Sequence, residues 1–139
     1  MVGVTALSIG TARYLKPNLP IDIVKGFKGE VPRTLEDLTS LAGVGRKTAN
    51  IILGNAFGQQ AIAVDTHVKR VTHRLGWAKS EAPDKIAFEL MGVIPEKRWT
   101  LSCHQLVFHG RNVCVAQKPK CSLCPVAKLC PKVGVTLKK

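Results

Sequence analysis

The chain has 139 residues, enough for one domain with a modest buried core, or for one domain with a small appendage. Its content of 45% hydrophobic and 22% charged residues is ordinary for a globular protein. No apolar run approaches a membrane span and no secretory leader is visible, so a membrane or secreted protein is not expected. Lys and Arg total 21 against 9 Asp and Glu, a net charge of +12. After Glu96 no acid follows, whereas Lys97, Arg98, Arg111, Lys118, Lys120, Lys128, Lys132, Lys138 and Lys139 do. A half of one sign suits a polyanionic partner, of which nucleic acid is the usual one; a solvated basic surface is the alternative.

Residues 1–32 carry little pattern. "YLKPNLP" (14–20) breaks any helix twice, and "IDIVKGF" (21–27) offers at most a short amphipathic turn. From Pro32 the periodicity sharpens. Thr34 with Asp37 reads as a capping box ahead of a helix whose stripe is Leu35, Leu38, Leu41 and Ala42. "GVG" (43–45) ends it. A second helix carries Ala49, Ile52, Leu53, Ala56 and Phe57 at helical spacing and stops at Gly58. Asp65 reads as the N-cap of a third helix, Thr66 to Leu75, with Val68, Val71 and Leu75 inward and Gly76 as its stop. A fourth helix is expected over 83–94 and a fifth over 95–114, with Pro95 at its start. No strand pattern competes, so the fold class is all-α.

Four of the five cysteines fall in "CVAQKPKCSLCPVAKLC", spaced Cys114-x6-Cys121-x2-Cys124-x5-Cys130. Thiolates this close either cross-link or share a metal. Without a secretory signal, disulfides are disfavoured. Structural zinc uses two short ligand pairs held apart by a longer loop, whereas these ligands are strung along one compact loop. That spacing favours an iron–sulfur cluster over zinc, which stays as the alternative. Lys118, Lys120 and Lys128 would offset the thiolate charge and face phosphates. Cys103 lies outside the bracket and reads as a small buried apolar residue.

"SLAGVGRKTAN" (40–50) sets a Gly-x-Gly turn between two helices. Such a turn lets the main chain approach a phosphate closely, at the favourable end of the second helix's dipole; a plain helix–helix turn explains it as well. Lys47 sits in that helix's first turn beside Arg46, a setting that suits a nucleophilic amine. A phosphate-contacting lysine is the equal alternative. Asp65 can cap its helix and still present its second oxygen to a substrate. His67, His73, His104 and His109 read as surface or packing residues, or at most as DNA contacts.

Taken together, "LAGVGRKTAN", "AVDTHVKRVTHRLG" and the Cys114–Cys130 bracket resemble the endonuclease III family of DNA repair glycosylases, over a span from about Phe27 to about Pro131. The resemblance implies a helix-hairpin-helix region at 33–111 and a four-iron, four-sulfur loop with a basic tail at 112–139, after a poorly matching segment at 1–32. It implies DNA contacts from Gly43, Val44, Gly45, Arg46 and Thr48, cluster ligation by Cys114, Cys121, Cys124 and Cys130, and catalysis by Lys47 and Asp65. In the family a damaged pyrimidine is flipped out of double-stranded DNA, the lysine amine displaces it at C1′, and the resulting Schiff base allows β-elimination at the abasic site. The sister adenine-mismatch glycosylases have a different residue where Lys47 stands, which favours the bifunctional glycosylase/lyase here. A cytoplasmic monomer, nucleoid-associated if prokaryotic, is expected. The family also carries helices ahead of the segment matching "FKGEVP" (27–32), to which residues 1–20 bear no resemblance. The expectation is therefore an N-terminally truncated chain with a partial helical barrel. An inactive or weakly active DNA-binding remnant is the alternative to an active lyase.

Overall fold

The computed structural model describes residues 25–136; the breaks expected at 14–20 lie outside the described residues. Among the described residues, helical residues 25–27 are followed by five α-helices: α1 (Leu35–Ser40), α2 (Arg46–Phe57), α3 (Thr66–Arg74), α4 (Pro83–Val93) and α5 (Trp99–Asn112). Short 3₁₀ turns occupy Glu96–Arg98 and Cys121–Leu123, and no strand occurs among the described residues. The all-α expectation holds. The chain forms two compact units, one ending at Ala61 and the other starting at Ile62.

In the first unit, the Thr34 hydroxyl accepts the Asp37 N–H at 3.1 Å and donates to the Asp37 carboxylate at 2.7 Å. Asp37 therefore closes the cap through the threonine side chain, not through its backbone N–H as a capping box would. Helix α1 stops at Ser40 because Leu41 turns extended (φ −72°, ψ 134°) and buries its side chain. Leu38, Leu41 and Val44 then close over Ala49 and Leu53 of α2. Phe27, Val31, Leu35, Ile52 and Phe57 pack around this small core. The Arg33 guanidinium sits 5.1 Å from the centre of the Phe57 ring, a cation–π contact. Gly58 ends α2 in the left-handed region (φ 67°), where a side chain would be strained.

The second unit is built on Ile62, Val64, Val68, Val71, Ala78, Ile86, Leu90, Ile94, Cys103 and Leu106. Helices α3 and α5 pack against each other here. Gly110 makes that approach possible, since a Cβ on it would lie 3.0 Å from the Cβ of His67 and 3.1 Å from a methyl of Val71. Helix α3 ends at Arg74, one residue short of expectation, with Leu75 as its C-cap and Gly76 left-handed at φ 70°. Pro83 opens α4, where its missing N–H costs nothing.

Three further sequence-based boundaries are corrected. Helix α4 ends at Val93, and α5 begins at Trp99 after a 3₁₀ turn, not at Pro95. The Trp99 indole N–H donates to the Ile94 carbonyl at 2.8 Å, tying the start of α5 to the end of α4. At its other end α5 stops at Asn112, so Cys114 leaves the helix and belongs to the loop.

Candidate functional site

The helix-hairpin-helix turn is fixed by two opposed demands. The Val44 N–H donates to the Leu41 carbonyl at 3.0 Å, and Gly43 takes φ 88° inside that turn. A side chain at this φ would strain the backbone, so the first glycine is conformational. The buried Val44 side chain pins the turn to the core. Gly45 differs. Its φ of −86° suits any residue, and a Cβ there would meet nothing within 4 Å. Nothing among the described residues requires a glycine at 45. What the absent side chain leaves is an unobstructed main chain at the start of α2, where helix N–H groups lack intrahelical partners and Gly45 provides no side-chain cap. Arg46 and Lys47 are exposed on this first turn and Thr48 is half-buried. Val44, buried, can meet a ligand only through its backbone.

Asp65 caps α3. Its Oδ1 accepts the His67 N–H at 2.9 Å and the Val68 N–H at 2.8 Å, while Oδ2 accepts no bond among the described residues. Capping thus uses one carboxylate oxygen and leaves the other available, as the dual role requires. Behind it, Cys103 is buried on α5 as expected. Burial pushes its thiol above the ordinary range, the Asp65 carboxylate adds to the rise, and a hydrogen bond with the Ala63 backbone opposes it. Lys47 belongs to the first unit and Asp65 to the second.

None of the five cysteines forms a disulfide. Cys114, Cys121, Cys124 and Cys130 line one partly open cavity, floored by Val71 and Leu75 and edged by Arg74, Lys120 and Lys132. No carboxylate lines it. Among the described residues no three Cys, His, Asp or Glu side chains group so as to hold a single metal ion. Four thiols around one cavity, with cations and apolar groups and no acid, fit an anionic polynuclear cluster better than one zinc ion.

The loop around this cavity has almost no regular structure and is held largely by hydrogen bonds, many of them from two arginines of α3. Arg70 donates from Nε to the Cys114 carbonyl at 3.1 Å and from Nη2 to the Gly110 carbonyl at 2.8 Å. The same Nη2 lies 3.1 Å from His67 Nδ1. Arg74 donates from Nη1 to the Val115 carbonyl at 2.7 Å and to the Cys114 carbonyl at 3.3 Å, and from Nη2 to the Ala116 carbonyl at 2.9 Å. Sequence reasoning singled out neither arginine. Nor did it assign His109 to the loop, although its Nε2 lies 3.6 Å from Cys124 Sγ. The available signal was the i, i+4 spacing of Arg70 and Arg74 beside the Val68–Val71–Leu75 stripe.

Comparison with known proteins is consistent with this division. Residues 26–54 match the helix-hairpin-helix motif, and residues 114–130 match the iron–sulfur binding domain of endonuclease III. Endonuclease III of Synechocystis sp. is 49% identical over 110 residues, covering 78% of this chain and 50% of that protein. Endonuclease III of Bacillus subtilis is 46% identical over 109 residues, with the same shares covered. The chain thus spans about half the length of the curated relatives it matches. Among solved structures, a trapped endonuclease III–DNA covalent intermediate superposes with a TM-score of 0.78 at 43% identity, over 83% of this chain and 55% of that one. A thermostable thymine-DNA glycosylase superposes with a TM-score of 0.74 at 25% identity, again over 83% and 55%. The resemblance read from the sequence is borne out, and with it the iron–sulfur assignment of the cysteine loop.

Proposed function

We propose that this chain, which carries the helix-hairpin-helix and iron–sulfur regions of the endonuclease III family, acts in base-excision repair as a bifunctional DNA glycosylase and abasic-site lyase. Its substrate is double-stranded DNA bearing an oxidised pyrimidine or an abasic site. The observation that carries this reading is the open main chain at Gly45 beside exposed Arg46 and Lys47, on a turn pinned by Gly43 and Val44. Backbone N–H groups at the start of α2 grip a phosphate, aided by Arg46 and Thr48. A relative has been captured as a covalent intermediate with DNA, which supports a nucleophilic side chain in this family.

In the proposed chemistry the neutral Lys47 amine attacks C1′ and the N-glycosidic bond breaks, the base leaving with a proton. Opening of the sugar ring gives a protonated Schiff base. Loss of a C2′ proton then expels the 3′ phosphate, and water releases the enzyme. Asp65, with Oδ2 uncommitted, stabilises positive charge developing on the sugar and assists proton transfer. Cys114, Cys121, Cys124 and Cys130 hold the cluster, which contributes structure and charge and takes no part in bond breaking. Exposed Lys118 and Lys128 on the same loop face the DNA backbone.

The test is strand nicking of a duplex carrying one oxidised thymine. The expected product is a break 3′ of the lesion, lost in Lys47→Ala while duplex binding persists. The alternative reading is DNA binding without catalysis. Binding without nicking by the iron-loaded chain would establish it in place of the first.

A further inference from the structure

Arg74 occupies a position that neither repair chemistry nor ligation explains. It is the last residue of α3, and it meets both ends of the cysteine bracket. Its guanidinium reaches the first cysteine. Besides the carbonyls of Cys114, Val115 and Ala116, Nη1 lies 3.4 Å from Cys114 Sγ. Its main-chain carbonyl reaches the last cysteine, accepting the Cys130 thiol at 3.3 Å and the Val133 N–H at 3.2 Å. That carbonyl is one of the orphan acceptors at a helix C-terminus, so the loop docks where α3 needs donors.

The protonation state of the sulfurs decides which contacts matter. A cysteine that holds iron is a thiolate and cannot donate. The Cys130 thiol-to-carbonyl bond therefore belongs to the protonated cysteine. At the two ends of the bracket, two contacts survive loss of the proton because sulfur is the acceptor: Arg74 Nη1 to Cys114 Sγ, and the Lys132 N–H to Cys130 Sγ at 3.3 Å. The first, charge-assisted through the guanidinium, becomes an ion pair once the sulfur is anionic. Arg70 shares the Cys114 carbonyl with Arg74 but has no contact with sulfur. Both arginines thus hold the Cys114 carbonyl, and of the two only Arg74 also touches a ligand sulfur.

We propose that Arg74 is a positioning residue that sets the entry of the cysteine loop and raises the reduction potential of the cluster through its hydrogen bond and charge at Cys114 Sγ. One-electron reduction adds one negative charge to the cluster and its thiolates, and the guanidinium stabilises the more negative state. This rests on the iron–sulfur reading of the loop. Iron and sulfide content and visible absorption of the parent chain test that reading separately.

The experiment is voltammetry of the full 139-residue chain, loaded anaerobically with iron and sulfide, beside Arg74→Gln, Arg74→Lys and Arg70→Gln. Arg74→Gln is expected to move the midpoint potential to more negative values. Arg74→Lys, which keeps the charge but cannot fork across the same acceptors, is expected to move it less. Arg70→Gln is expected to stay nearest the parent. Loss of iron from both Arg74 variants, with Arg70→Gln loaded, would support the positioning role. A loaded Arg74→Gln with the parent's potential would overturn the proposal. So would a shift in Arg70→Gln as large as that in Arg74→Gln, because loosening the loop alone would then account for it.

Discussion

The glycine turn and the cysteine loop solve opposite problems. At 41–47 the chain holds a main-chain surface open to the outside, and it does so with apolar anchors: Leu41 and Val44 are buried on either side of a glycine in the left-handed region. At 113–136 the chain surrounds a cavity of thiols with scarcely any buried apolar residue of its own; Leu123 and Leu129 are 73% and 86% exposed. Its entry is held by Arg70 and Arg74 reaching across from α3 to the carbonyls of Cys114, Val115 and Ala116. Burial can fix a turn seven residues long because neighbouring helices supply the core. A longer loop without a core needs directed polar bonds and a bound centre.

That contrast can be broken from either side. The largest effect is expected for Leu38→Ala, which empties a fully buried position in the five-residue core beneath the turn. A loss of about 2–5 kcal/mol is expected in denaturant unfolding. Phosphate-backbone affinity should fall with it, while the visible absorption of the loaded loop persists. Gly110→Ala comes next. The added methyl meets His67 and Val71, forcing α3 from α5 and moving the carbonyl that Arg70 holds. The expected cost is about 1–3 kcal/mol with loss of cluster stability, read as faster bleaching of the iron–sulfur absorption. The smallest stability effect is expected for Asp65→Asn. Its amide oxygen can still cap His67 and Val68, so stability should change by only a few tenths of a kcal/mol, against about 1 kcal/mol for Asp65→Ala. Base excision should nevertheless fall in both, since the carboxylate charge is absent from each. If Asp65→Asn excises normally, Asp65 is a cap and nothing more.

The helices were largely legible because their signals are local. Thr34, Asp65, Gly58 and Gly76 mark ends by their own chemistry, and the stripes of α2 and α3 follow from periodicity. The cysteine spacing announced a shared centre for the same reason. Arg70 and Arg74 were not legible. Their acceptors are main-chain carbonyls some forty residues away, and every residue carries a carbonyl, so no pattern marks the partner. The delayed start of α5 was hidden similarly, because an indole bond to Ile94 resets a boundary that Pro95 alone would place earlier. His109 drew a surface or packing assignment because it lies outside any ligand spacing, and only the fold brings it near Cys124.

The most direct test of the central claim is borohydride trapping of the 139-residue chain on duplex DNA containing one abasic site. A Schiff base to Lys47 predicts a reduced, covalent protein–DNA adduct, with the crosslink on the peptide containing Lys47 and no adduct from Lys47→Ala. An adduct of equal yield from Lys47→Ala, or none from the iron-loaded parent, would contradict it.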